Sequence, residues 1–125
     1  MPDTAPQGSA PLILDDLLTL CAKGHEAVES VVEAARRSVN QRVSVDSRIS
    51  GARLNEEQFA AHGLAWMATY ATGLREMLRW AERLDGDGTL GELERLILQA
   101  GFGEYINQLA SGIAISQGEI VRPAD

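Results

Sequence analysis

Little in this sequence is suited to chemistry. Its 125 residues hold one cysteine and two histidines, and aromatic side chains make up only 5%. A lone Cys21 has no partner for an internal disulfide, which fits a reduced, cytoplasmic setting. With His25 and His62 as the only imidazoles, a carboxylate-bridged di-metal bundle is excluded. That class needs Glu-x-x-His pairs on facing helices, and here Ala22 and Phe59 stand three residues before the histidines. Basic residues are also in deficit, 11 Lys and Arg against 18 Asp and Glu, for a net charge of −7. The acid gathers after Leu84, where Asp85, Asp87, Glu92, Glu94, Glu104, Glu119 and Asp125 face only Arg95 and Arg122. Such a field repels phosphate backbones, so nucleic acid and anionic membranes are poor partners. No apolar run approaches membrane length, and no charged segment followed by an apolar stretch opens the chain, so neither a span nor a secretory leader is expected.

Proline is confined to Pro2, Pro6, Pro11 and Pro123. Residues 1–10 are short and polar, with nothing to bury, and are expected to be disordered. The remainder has the make-up of a globular domain, 45% hydrophobic and 23% charged, and its length is that of one domain. A chain of this size buries about two thirds of the surface its unfolded form exposes, so a core forms without staples.

What is present is helical period. From Leu54 to Leu84, Phe59, Gly63, Trp66, Tyr70, Gly73, Met77, Ala81 and Leu84 recur at steps of three and four, the stripe of one long packed helix. Asn55 with Gln58 reads as a capping box, Leu54 with Phe59 as a hydrophobic staple, and Asp85-Gly86-Asp87-Gly88 as the stop. Between Phe59 and Ala71 there is no charge, and Leu64 and Met67 extend the apolar surface off the stripe. A helix apolar most of the way round needs cover on more than one side.

A first helix is expected over about 11–43, with Pro11 in its first turn. Its seam runs through Leu14, Leu18, Cys21, His25, Val28, Val32, Ala35 and Val39. A polar link, 44–53, leads to the central helix at 54–84. A third helix is expected over 89–112, opened by a Thr89-x-x-Glu92 capping box, with Leu93, Leu96, Ile97, Ala100, Tyr105, Ile106 and Leu109 inward. The Gly101-Phe102-Gly103 interruption is read as continuation with close packing, although two glycines cost roughly 2 kcal/mol of helix propensity. The tail, 113–125, is too apolar for a free end and, being extended, needs a surface to lie on. The expected fold is therefore all-α: an antiparallel three- or four-helix bundle over 11–112 with a disordered N-terminus and an extended C-terminal tail.

The candidate sites are few. Cys21 and His25 are four residues apart on one helix face, the spacing of a thiolate–imidazole pair, but both fall on the core seam. His62, Trp66 and Tyr70 could line a small-molecule pocket. Gly101-x-Gly103 lacks the third glycine and the preceding strand of a phosphate loop, and Ser116 has no nucleophile-elbow context. No catalytic, cofactor or metal residue is assigned, and no activity is expected of this chain alone.

The segments AAHGLAWMATYATGLREMLRWAERL, from Ala60 to Leu84, and GELERLILQAGFGEYINQLASGIAISQGEIVRP, from Gly91 to Pro123, resemble the helical N-terminal region of bacterial acyl-CoA dehydrogenase-like flavoproteins. The resemblance covers about half to two thirds of the chain. It carries over no catalytic residue, because the β-domain and C-terminal helical domain that hold flavin and the catalytic carboxylate are absent, so FAD is implied only for a larger parent or partner. It implies a non-catalytic interaction or assembly module with Leu64, Trp66, Met67, Tyr70, Phe102, Ile113, Ile115, Ile120 and Val121 as its interface. Two alternatives stand beside it. In one, the same face joins copies of the chain in a free-standing homo-oligomer; in the other, the bundle binds a small molecule beside His62.

Overall fold

The computed structural model describes residues 11–115 and 118–125. The expected disorder of residues 1–10, and Ser116, lie outside them. Three long helices carry the fold: α1 (Leu17–Val43), α3 (Gln58–Gly86) and α4 (Glu92–Ser111). Between the first two come a two-stranded hairpin, β1 (Ser44–Val45) with β2 (Arg48–Ile49), and a short helix, α2 (Gly51–Glu56). A second hairpin, β3 (Ile113–Ala114) with β4 (Ile120–Val121), follows α4. The all-α bundle read from the periodicity is the architecture found.

The start of α1 differs from expectation. Pro11 to Asp16 are not helical, because the segment is held by α4 instead. The Leu14 N–H donates to Gln99 Oε1 at 2.8 Å, and Gln99 Nε2 donates to the Leu12 carbonyl at 3.0 Å. Asp16 then turns the chain in the left-handed region, φ 54°, into the first helical residue. Leu14, expected on the seam, is exposed as a result; Leu17, Cys21, Val28 and Val43 are the buried residues of α1.

The link after Val43 is a tight reversal. Asp46 and Ser47 both have positive φ, 49° and 62°, the pattern of a two-residue hairpin whose twist matches its strands. The Ser50 N–H donates to the Val43 carbonyl at 2.9 Å and closes it. Ser50 also caps α2, its Oγ accepting from the Arg53 N–H at 3.4 Å. The central helix thus begins earlier than Leu54 and breaks at Glu57. Asn55 and Gln58 do meet, Nε2 to Oδ1 at 2.6 Å, but side chain to side chain across the break, not as a capping box. Leu54 and Phe59 both remain exposed, so the staple expected of them buries neither.

The buried line of α3 is Gly63, Met67, Ala71, Leu74, Leu78 and Ala81. It lies one residue away from the expected stripe over much of its length. Helix α3 is packed on two sides, and the innermost line runs between the two contacts. Trp66, Tyr70, Met77 and Trp80 are partly buried beside it. The uncharged middle of α3 has the double cover its composition demands.

Side-chain contacts fix the directions. Tyr105 stacks on Tyr70, and a Cβ on Gly101 would collide with the Met77 side chain, so α3 and α4 are antiparallel. Gln99 binds Leu14 while Ile106 sits over Gly24, so α1 and α4 run the same way. Helix α4 is unbroken through Gly101 and Gly103, as the close-packing reading expects. Its inward residues are Leu98, Phe102 and Leu109; Leu93, Ile97 and Ala100, expected inside, point outward. Thr89 does not open α4 either. Its N–H and hydroxyl donate to the Leu84 carbonyl at 2.8 and 3.3 Å and finish α3, while Gly91 stands at the start of α4 without a side-chain cap.

The tail is a hairpin rather than an extended strand. Gly112 takes φ 141° and Gly118 φ 83°, and Ile113 pairs with Val121 across the ladder. Ile113 is fully buried, and Val121 lies on Gly63 with its Cγ1 2.9 Å from where a Cβ would stand.

Leu74 lies at the centre with no exposed surface. Leu74→Ala is expected to cost about 3–5 kcal/mol of unfolding free energy. Leu93→Ala, on the outer face, should stay within about 0.5 kcal/mol, and urea titrations of the two variants check the contrast.

Candidate functional site

Four rings form a ladder along α3 and onto α4. The Trp66 indole N–H donates to His62 Nε2 at 3.1 Å, with the two rings edge to face at 6.3 Å. Trp66 meets Tyr70 in the same way at 6.3 Å, and Tyr70 stacks on Tyr105 at 4.7 Å. The Tyr70 hydroxyl donates to Gln108 Oε1 at 2.6 Å, and Gln108 Nε2 donates to Glu104 Oε1 at 2.7 Å. Burial, helped by the neighbouring Tyr105 and the Glu104 carboxylate, raises the Tyr70 pKa, so the phenol stays a proton donor. The arrangement fastens α3 to α4. His62, Trp66 and Tyr70, the alternative pocket set, line none of the hollows formed by α1, α3, α4 and the tail. They lie end to end along one helix face, where successive rings cover one another. Gln108 and Glu104, which complete the ladder, were not legible as partners, since their spacing to Tyr70 is long-range.

Cys21 and His25 do share α1, as their spacing requires, but they make no couple. Burial pushes the Cys21 thiol up to about 11, which keeps it protonated and inert at neutral pH. His25 Nε2 lies 3.1 Å from Glu29 Oε1, one turn on, at an angle that makes no hydrogen bond. Among the described residues no group of three or more His, Cys, Asp or Glu is placed to hold a metal. No described helix is long and apolar enough to cross a membrane.

The nine residues proposed as an interface are divided by the fold. Met67, Phe102, Ile113 and Val121 are buried within the bundle, because the tail hairpin and α4 cover α3 themselves. Leu64, Trp66, Tyr70 and Ile115 are partly covered, and Ile120 is exposed. Apolar residues that periodicity placed inside but that face outward include Leu93 and Ile97 on α4, Leu14 before α1 and Phe59 on α3; Leu12 and Leu20 are also exposed.

One hollow stands out by size, about 500 Å³. It lies between the second half of α1 and the first half of α3, where α4 has ended, and Val121 to Asp125 form a further wall. Small residues line it, among them Ala34, Ala35, Ala60 and Gly63, together with Phe59, Leu64, Arg42 and Arg122. Arg42 is 3.7 Å from Glu57.

Among known proteins, no family model matches the chain. It is similar to the (2S)-methylsuccinyl-CoA dehydrogenase of Cereibacter sphaeroides, with 49% identity over 113 residues. That match takes in 90% of this chain but 21% of the relative, so the chain spans about a fifth of the relative's length. The resemblance to acyl-CoA dehydrogenase-like proteins therefore holds, over more of the chain than the two segments that first carried it.

Two outcomes test the site chemistry. Because the folded-state thiol pKa lies above its ordinary value of 9.0, its contribution to stability is complete below pH 9 and is lost as pH rises toward about 11. Native Cys21 should alkylate roughly 100-fold more slowly than in the unfolded chain at mildly alkaline pH, as followed by mass spectrometry. Tyr70→Phe removes the link to Gln108 and should cost about 1 kcal/mol in denaturant titration.

Proposed function

We propose that this chain is a non-catalytic helical module of an acyl-CoA dehydrogenase-like flavoprotein, packing on the dehydrogenase body and helping to assemble it. The observation that carries the reading is the extent of the match. The match takes in 90% of this chain but only 21% of a longer protein, a CoA-thioester dehydrogenase. Nearly the whole folded unit recurs there as a small part of something larger, and the N-terminal position is the one the resemblance implies.

The surface agrees with such a role. Leu93 and Ile97 on the outer side of α4, with Leu12 and Leu14 in the segment tied to α4 by Gln99, leave apolar area in water after the bundle has closed. Exposed apolar area of this kind marks a contact site. Of the interface set read from the sequence, Leu64, Trp66, Tyr70 and Ile115 stay partly exposed and Ile120 exposed, so these remain open to contact. The titratable and aromatic residues act structurally, in the ladder and the core. FAD belongs, on this reading, to the body, and a CoA thioester such as (2S)-methylsuccinyl-CoA is the body's substrate. A reduced, cytoplasmic setting completes the proposal and rests on the free, buried Cys21.

The test is to recover the native polypeptide from source cells with an antibody against this chain and to assay it for flavin. A flavin-bearing species larger than the chain itself is expected, while the purified chain titrated with FAD should show no stoichiometric binding. Stoichiometric flavin on the isolated chain, or recovery of the chain alone without flavin or companion, would overturn the reading.

A further inference from the structure

Pro11 to Asp16 belong to no helix or hairpin, yet the segment is held in place. One side chain does the fastening. The Gln99 amide accepts from the Leu14 N–H at 2.8 Å and donates to the Leu12 carbonyl at 3.0 Å, the two bonds that a neighbouring strand would supply. Both lie open to water, where a hydrogen bond contributes little net energy. Of Leu12, Ile13 and Leu14, only Ile13 packs against the core; the other two keep 72% and 54% of their surface in water.

The junction with α1 is weakly held as well. Asp16 takes φ 54° and ψ 32°, a left-handed conformation that a residue with a Cβ adopts at a cost, and its carboxylate caps nothing. Its carbonyl still accepts from the Leu20 N–H at 3.0 Å, the first bond of α1. Rotation about the N–Cα bond of Asp16 therefore moves the segment and leaves the helix whole.

Next to the segment lies an apolar hollow of about 240 Å³ between α1 and α4. Leu14 and Gln99 line it together with Leu17, Cys21 and Phe102, so the segment and its fastening are part of the wall. Cys21 is only 3% exposed there. Segments with few buried contacts and water-exposed hydrogen bonds open at less cost than the fold as a whole. We propose that Pro11–Asp16 is a latch, fastened to α4 by Gln99 and hinged at Asp16, that opens with the bundle still folded and uncovers the hollow beside Cys21. The latch belongs to the bundle itself and does not depend on the dehydrogenase reading.

Thiol alkylation of the purified chain, followed by mass spectrometry at increasing urea below the unfolding transition, reads the opening at Cys21. The wild-type rate should vary little with urea, since a local opening exposes little surface. Gln99→Leu removes both bonds at nearly constant volume and should speed alkylation roughly 10-fold. Asp16→Pro, whose ring cannot reach φ 54°, should act likewise. Both positions lie outside the core, and circular dichroism and the urea midpoint should stay close to wild type. Tyr70→Phe weakens the fold away from the latch and should leave the alkylation rate unchanged. A rate that both latch variants leave at its wild-type value, or one that rises with urea as steeply as global unfolding does and also with Tyr70→Phe, would overturn the proposal.

Discussion

The structure depends on how closely its elements can approach α3. That helix has no charge between Phe59 and Ala71, so water is a poor neighbour along most of its circumference. Cover on two sides requires partners that come near its backbone, and glycine provides the room. Gly63 receives Val121 of the tail hairpin, and Gly101 of α4 lies against Met77 of α3. A third glycine, Gly24, does the same between α1 and Ile106. At Gly63 and Gly24 an added Cβ would sit 2.9 Å from a neighbouring carbon, so each seam is set by the missing side chain. The helix propensity lost at these positions is offset by packing that a wider residue would prevent.

This packing also explains the scarcity of chemistry. Several polar side chains are committed to structure: Tyr70 crosses from α3 to Gln108 of α4, Gln99 ties the segment before α1 to α4, and Trp66 rests its N–H on His62 within α3. Cys21 is a small apolar filler whose proton stays in place. Polar contacts across a helix bundle add less energy than its apolar core but restrict which registers are allowed. Here such polar groups serve register, and the leftover apolar area faces outward.

Much of the fold was legible because helix period survives without tertiary information. Three long helices, the Asp85 to Gly88 stop and the unbroken run through Gly101 to Gly103 all follow from local rules. The errors share one cause. A stripe of apolar residues says that a helix is packed, but not at which angle a second partner will lie. On α3 two partners moved the innermost line to Met67, Ala71 and Leu74; on α4, apolar on nearly every side, Leu93 and Ile97 were indistinguishable from Leu98 and Phe102 by period alone. Caps failed in the same way: Thr89 had the right neighbours to open α4, yet the Leu84 carbonyl was nearer to hand. The interface set suffered most, since Ile113 and Val121 looked like tail residues in need of a surface and found it within their own bundle.

The sequence by itself determined that this is an acidic, all-helical bundle with an over-apolar central helix and an apolar tail that must lie on something. Those properties rest on composition and on spacings of three and four, which any fold of the chain would have to respect. Only the tertiary structure decided which face of each helix is inside, that the tail folds back as a hairpin on Gly63, that His62, Trp66 and Tyr70 form a ladder, and that a groove remains beyond the end of α4. These depend on contacts between residues distant in sequence and on the unequal lengths of packed helices, and no local pattern encodes either.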